Sequence, residues 1–492
     1  GRPVTRWDGR TYKPHPVTGE PVPDETAQLP LERYLNPRRA EWPEADFVVG
    51  NPPFIGAKAM RSTLGDGYVE ALRTTWSEVP ESVDFVMYWW HIAAGLVRSG
   101  KAQRFGFITT NSLSQTFNRR ILEQHLGSSP KITEPANTPL SLIYAIPDHP
   151  WVDTADGAAV RISMTVGIAG DTPGQRLRLL SEEGIAAEGV QVMFSSQNGR
   201  INSDLSIGAD IGSAMTLLAN IGVANRGIQL LASGFVLSME DAQVIDLNHR
   251  VSKKYRNGKD LTDRPRDIMV LDTYGWSHDD LRRDLPAVHQ WLLDRAKPER
   301  DQNPRQSYRD NWWLPGENQP QMRKSVADLP RYIATAITAK HRTFQFIDVR
   351  TLADQAVLVI AITDALFFGV LSSRVHIIWA LAAGGTLEDR PRYNKTRCFD
   401  TFPFPDPAEP LKAYIRQLAE DLDAHRKARQ ALHPGLTMTG IYNVLEQLRR
   451  GEPLSPKDKT IHEQGLVSVL RQLHDELDSA VLAAYGWEDL IP

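Results

Sequence analysis

One cysteine, Cys398, stands in a chain of 492 residues. A single thiol cannot close an internal disulfide, so stability rests on core packing, and such cysteine usage fits a reducing cytoplasmic setting. Long apolar runs are missing as well. The longest apolar region, residues 356–371, is broken by Thr363 and Asp364 and falls short of the ~20 residues a membrane span needs. A membrane is therefore not expected as a partner. Charge of one sign is lacking too: the formal net charge is −4, so any sign of a polyanionic partner must be regional. The chain begins at Gly1 rather than Met and opens with no signal peptide. Its start reads as internal, which leads us to expect a fragment. No resident metal is expected.

What is present is the composition of an ordinary globular protein, 41% hydrophobic and 24% charged, long enough for several domains. Residues 1–40 are crowded with turn chemistry, including Asn36-Pro37-Arg38-Arg39, and read as an extended arm or insertion. Phe47-Val48-Val49 then reads as a short buried strand. Helix-like apolar spacing follows over 66–78 and 84–97, a buried strand over 104–113, and a further helix over 119–125. Strand, helix, strand at this spacing predicts a βαβ unit, a parallel sheet and a site at the C-terminal strand ends. Asn51 and Thr109-Thr110-Asn111 share that edge. Residues 142–146 and 158–168 read as two antiparallel strands that end the sheet.

The texture changes near residue 175. Residues 250–350 hold 20 Lys/Arg against 14 Asp/Glu, a local excess of six positive charges. Basic residues there alternate with aromatics, as in Lys253-Lys254-Tyr255-Arg256 and Lys340-His341-Arg342 before Phe344, a pattern that grips phosphates and stacks on bases. The bland alternative is a solvated surface over buried tryptophans. Pro403, Pro405 and Pro407 mark a boundary, after which 411–432, 440–451 and 466–485 read as helices, two of them long and amphipathic. The expected domains are an arm over 1–40, a catalytic domain over 41–174, a reading domain over 175–406 and a helical region over 407–492.

The stretch with most chemistry in it is Asn51-Pro52-Pro53-Phe54. Two prolines fix φ and remove N–H donors, so the Asn51 amide and the Pro52 carbonyl are held in near-constant directions. Two such acceptors can take both protons of an exocyclic amine, while Phe54 stacks on the ring that bears it. Tyr88, Trp89 and Trp90 read as core more readily than as the lining of a cofactor pocket. Asp84 reads as a helix N-cap first and a cofactor contact second. Thr109 to Asn111 stand evenly between turn and site contact. Asp475, Glu476 and Asp478 read as solvent-facing, and Cys398 as a small core residue.

Asn-Pro-Pro-aromatic resembles the catalytic loop of amino-methyltransferases. Residues 42–56 around it, Phe105 to Ser112, Trp151 with Gly157 to Met164, Lys297 to Arg300, Thr338 to Arg342, Leu371-Ser-Ser-Arg374, Arg392-Tyr-Asn394 with Phe402-Pro-Phe-Pro405, Leu436 to Asn443 and His474 to Asp478 together resemble one family. It is that of large bacterial adenine-N6 DNA methyltransferases, which includes type IIL restriction-modification enzymes and phage-defence methylases such as that of DISARM. The resemblance implies an α/β fold: a partial Rossmann-like class I methyltransferase sheet, a mixed α/β target-recognition domain and a helical C-terminal region.

It also implies S-adenosylmethionine as cofactor, with Asn51 and Asp84 as contacts, and transfer to a flipped adenine. Duplex DNA is the implied partner, through Lys253, Lys254, Arg256, Lys340, His341, Arg342 and Arg374, with other restriction or defence subunits as further partners. Family members carry a glycine-rich cofactor loop ahead of the catalytic loop, and no such pattern stands between Gly1 and Asn51. The alternatives are a non-catalytic DNA-binding specificity module, or a methylase of RNA bases or a glutamine amide.

Overall fold

The computed structural model describes residues 5–491 other than 18, 31, 127–137, 152–160, 184–190 and 388–389. The first residues of the strand expected at 158–168, with Gly157 to Val160 of the resemblance, lie outside the described residues. The chain divides into two compact units, one holding residues 30–214 and the other residues 6–29 with 215–491.

One six-stranded sheet organises the first unit. β1 (Phe47–Gly50) leads through α1 (Asp66–Thr75) and α2 (Val86–Arg98) to β2 (Arg104–Thr110), and α3 (Thr116–Leu126) follows. β3 (Leu140–Pro150), β4 (Arg161–Ala169), β5 (Gly174–Glu183) and β6 (Gln191–Gly199) complete it in the order β6-β5-β3-β4-β2-β1. β1 and β2 run parallel with Gly50 opposite Phe107, while β4 is antiparallel to both its neighbours. The 3.6-residue spacing of α2 buries Met87, Tyr88, Trp90, Ala94 and Val97, and the helix packs on β2 and β4. Trp90 lies edge-on to Phe105 at 5.2 Å and donates its indole N–H to Thr165 Oγ1 at 3.3 Å. These aromatics are core.

Two expectations are corrected here. β1 is not buried: Phe47 is 58% and Val49 82% exposed, because among the described residues β1 has a hydrogen-bonded neighbour on one side only. Nor does the sheet end near residue 174. β5 pairs with β3 and with β6, which carries the first unit on to Ala214. Gly174 permits the crossing, since a Cβ there would lie 2.1 Å from the Leu142 carbonyl oxygen.

In the second unit two four-stranded sheets lie beside a helical layer. β7 (Ala224–Arg226), β8 (Val236–Ser238), β9 (Ser252–Arg256), β10 (Ile268–Leu271), β11 (Arg331–Ala336), β12 (Gln345–Asp348), β13 (Thr351–Ala353) and β14 (Val357–Ile360) form the orders β7-β14-β11-β12 and β8-β10-β9-β13. That layer includes α4 (Ala365–Ser372), α5 (Arg374–Ala383), α6 (Glu409–Leu432), α7 (Met438–Arg450) and α8 (Val467–Ala484). Residues 356–371 split into β14 and α4 because Asp364 caps the helix, accepting from the Leu366 N–H at 2.9 Å. Among the described residues no single helix is long and apolar enough to cross a membrane. The arm expected over 1–40 includes a short hairpin, Tyr12–Pro14 with Pro21–Pro23. The helical tail shares its core with the region before it: Ile360 and Phe368 sit with Ile415, Leu422, Leu470 and Leu477. The amphipathic faces of α6 and α8 close over α4, so the prolines at 403–407 mark a turn within one packing unit.

Asp478, expected at the surface, is buried. Its Oδ1 accepts the Arg374 N–H at the start of α5 at 2.7 Å, and its Oδ2 has no hydrogen-bond partner. Burial, the largest cause, pushes this carboxyl up to about 6. The folded state therefore keeps a proton that the unfolded chain releases, and stability falls as pH rises from about 4 to about 6. Asp478→Asn keeps the bond to Arg374 and removes the ionisation. Urea unfolding across pH should show that decline flattened, with the variant more stable than wild type at pH 8 by roughly 2–3 kcal/mol.

Candidate active site

The loop that follows β1 is anchored at both ends. At its start, Gly50 belongs to the β1–β2 ladder. At its end, the Ile55 carbonyl accepts the Phe85 N–H at 2.9 Å, and the Ala57 N–H donates to Asp84 Oδ1 at 3.0 Å. Between the anchors Pro52 is buried, Asn51 and Pro53 are exposed, and Phe54 is half-buried against the first unit's core. Neither the Asn51 amide nor the Pro52 carbonyl enters a hydrogen bond among the described residues. A loop anchored at both ends thus carries two acceptors without partners among the described residues, at the C-terminal edge of a parallel strand pair.

Asp84 is not the N-cap expected of it. The first residue before α2 is Phe85, and the helix has no side-chain cap. The Asp84 carboxylate instead accepts from the Ala57 N–H, from Ser112 Oγ at 2.8 Å and from Asn118 Nδ2 at 2.7 Å. Three protein donors occupy most of its acceptor sites, and the side chain is half-buried. Its own N–H donates to Asn118 Oδ1 at 2.9 Å. Thr109 is buried, its hydroxyl turned toward backbone carbonyls, and is structural. Asn111 Nδ2 approaches Asp148 Oδ1 at 3.4 Å, and Arg161 joins Asp148 to Glu182 at 2.6 and 2.7 Å. Asp148 is the larger cause, ahead of Glu182, holding the Arg161 guanidinium well above its usual range.

The basic residues of the second unit sit on separate elements. On β9, Lys253 pairs with buried Asp272 at 2.7 Å, Lys254 is exposed, and Arg256 donates to the Arg266 carbonyl. Lys340 Nζ and His341 Nε2 both reach Asn443 Oδ1, at 2.7 and 2.8 Å, and His341 Nδ1 lies 3.2 Å from Glu446. They tie β11's exit to α7. Arg374 is exposed at the first residue of α5.

Arg342 is a correction. It is buried and donates to Thr335 Oγ1 and to the carbonyls of Ala336, Ile337 and Pro391, so it cannot meet a phosphate. Desolvation lowers its pKa to about 10. The interleaved aromatics are buried too: Tyr255, Trp312 and Phe344 belong to the cores. Of these only Tyr255 lies on a strand, and the pattern reflects rings taken into the cores from strand, turn and loop alike, which is the bland alternative.

Ser112 and Asn118 were not singled out from sequence. Ser112 directly follows the Thr-Thr-Asn turn, which was the available signal, whereas nothing distinguishes Asn118 within its helix until the fold places it against Asp84.

Residues 18–180 match the family model of the MmeI DNA-methyltransferase domain, and residues 277–406 that of the MmeI target recognition domain. Among solved structures, the fold is similar to that of the type IIL restriction-modification enzyme MmeI in complex with DNA. That match has a TM-score of 0.65 and 19% identity, over 90% of this chain and 54% of that one. A DrdV–DNA complex also matches, at a TM-score of 0.38 and 10% identity over 91% of this chain and 57% of that one. The chain thus spans about half the length of either structure. No curated protein matches it.

Proposed function

We propose, from the match of residues 18–180 to the MmeI DNA-methyltransferase domain and of residues 277–406 to the MmeI target recognition domain, that the full-length protein is of the MmeI family and methylates adenine N6 in duplex DNA. The observation that carries this reading is the pair of open acceptors, Asn51 Oδ1 and the Pro52 carbonyl, on a loop anchored at both ends. An aromatic amine delocalises its lone pair into the ring and is a poor nucleophile. Accepting hydrogen bonds from both of its N–H groups localises that pair, and the same two oxygens stabilise the positive charge the nitrogen gains as its lone pair bonds the methyl carbon and the carbon–sulfur bond breaks, one N–H proton then leaving to solvent. Phe54 stacks on a base that has left the duplex.

The methyl donor in this reading is S-adenosylmethionine, which supplies an electrophilic sulfonium methyl. The described residues fit the acceptor side of the transfer better than the donor side. Of the two donor contacts expected, Asn51 has no hydrogen-bond partner among the described residues, whereas Asp84 already accepts from three protein donors.

The test incubates the full-length protein with labelled S-adenosylmethionine and unmethylated duplex DNA, then digests the DNA to nucleosides. Label in N6-methyladenine supports the reading. Label in a cytosine product, or only in RNA or protein, overturns it, and DNA binding without label transfer favours a pure specificity module.

On the DNA-reading side, Lys254 is an exposed cation among the expected phosphate contacts, with no ion pair among the described residues. Lys254→Ala should weaken binding evenly across DNA sequences and reduce the slope of log affinity against log salt by about one. Titrations at several salt concentrations check this, and an unchanged slope removes Lys254 from the interface.

A further inference from the structure

The best-satisfied carboxylate near the loop takes no place in the chemistry just described. Asp84 Oδ1 holds the Ala57 N–H, just past the loop, and Oδ2 holds Ser112, just past the end of β2, together with Asn118 of α3. Asn118 is buried, and its amide is fixed in one orientation. Its oxygen takes the Asp84 N–H at 2.9 Å, and its nitrogen gives to Asp84 Oδ2 and to the Ser112 carbonyl at 3.0 Å. No basic side chain pairs with Asp84 among the described residues. The neighbouring Phe85 N–H adds the bond to the Ile55 carbonyl at 2.9 Å. One short stretch, 84–85, therefore pins the distal end of the loop and joins it to the C-terminal turn of β2 and to α3.

We propose that Asp84, acting with Ser112 and Asn118, is the positioning residue of the catalytic loop. It sets the direction of the Asn51 amide against the end of β2 while touching neither the amine nor the methyl donor. The proposal rests on the reading of Asn51 as an amine clamp. Charge-assisted bonds from three donors make the joint stiff, and a misplacement on the order of 1 Å at a reacting group costs about a hundredfold in rate. A joint of this kind acts on turnover more than on DNA affinity.

The polarity of the joint makes it testable. Asp84→Asn turns an NH2 group toward the fixed NH2 group of Asn118, and rotation of the Ser112 hydroxyl relieves only its own bond. Asn118→Asp in the same protein restores an acceptor facing that donor at unchanged net charge, but sets a carboxylate oxygen against the Ser112 carbonyl that Asn118 Nδ2 served, so recovery is partial. The experiment measures kcat and KM for DNA with labelled S-adenosylmethionine in the full-length wild type, in Asp84→Asn and in the double variant. Expected is a kcat about 30- to 100-fold lower in Asp84→Asn, with KM for DNA within about threefold of wild type. The double variant should recover to within about tenfold of wild type, because the two positions are coupled.

Wild-type kcat in Asp84→Asn overturns the proposal. Should Asp84→Asn not fold, Ser112→Ala removes one donor only. A fall of about five- to tenfold in its kcat supports the joint, and an unchanged kcat overturns it. A wild type that transfers no label fails the amine-clamp reading itself, an outcome distinct from any of these.

Discussion

Asn51→Ala is expected to lower methyl transfer by about 10²- to 10³-fold while duplex binding stays close to wild type. The exposed amide makes no hydrogen bond among the described residues, so its removal leaves the loop's anchors at Gly50, Ile55 and Ala57 intact. The loss therefore belongs to the reacting amine. One of its two protons would have no acceptor, and the charge developing on nitrogen would lose half of its stabilisation. Single-turnover transfer of label at saturating DNA, alongside a binding titration, separates the two effects. Transfer at the wild-type rate would sink the role given to Asn51, and equal losses in binding and rate would place it in DNA recognition.

The second large effect is one of stability. Arg342→Ala should cost about 3–5 kcal/mol, because the guanidinium serves four buried acceptors and lies over the Tyr393 ring, 5.0 Å from its centroid. Truncation takes the guanidinium from the Thr335 hydroxyl and the Ala336 carbonyl, while the Ile337 and Pro391 carbonyls keep the Tyr393 and Ala339 N–H groups, and it opens a cavity between β11 and the strand Arg390–Arg392. The measurement is urea unfolding at unchanged m, where a variant within about 1 kcal/mol of wild type would deny the structural role. Arg342→Ala also contrasts with Lys254→Ala. The first should remove DNA binding only in step with folding, whereas the second should weaken binding in a protein of normal stability.

The two residues show what sequence patterning resolves. Both stand in runs where cations alternate with aromatics, and both read equally well as phosphate contacts. The difference lies in what the next strand provides. Lys254 leaves β9 into solvent, whereas Arg342 meets carbonyls brought together by β11 and by residues fifty positions downstream. Such meetings depend on long-range pairing and leave no local trace. The loop was legible because its chemistry is contiguous: an apolar strand, two prolines, an amide and a ring. The parallel pairing of β1 with β2 was legible from spacing, and the core role of Tyr88 and Trp90 from helical period.

The exposure of β1 was not legible, since Phe47-Val48-Val49 carries the composition of a central strand and only neighbours decide burial. Asp84 was legible as a residue that matters, but its role was not, because Ser112 and Asn118 approach it only in the folded chain. Asp478 misled for a related reason. A carboxylate among charged neighbours on a helix suggests solvent, yet it sits where α8 meets the first turn of α5.

The core shared by α4, α6 and α8 has a practical consequence for engineering. Ile360 and Phe368, before the run of prolines, pack in one cluster with Ile415, Leu470 and Leu477 after it. A chimera that exchanges DNA-reading segments between relatives at the prolines would join two halves of a core shaped for different partners. Misfit there costs typically 1–3 kcal/mol or more per overpacked or emptied position. The transferable unit is residues 215–491 taken with residues 6–29, which belong to the same compact unit, so that the exchanged segment arrives with the helices that hold it in shape.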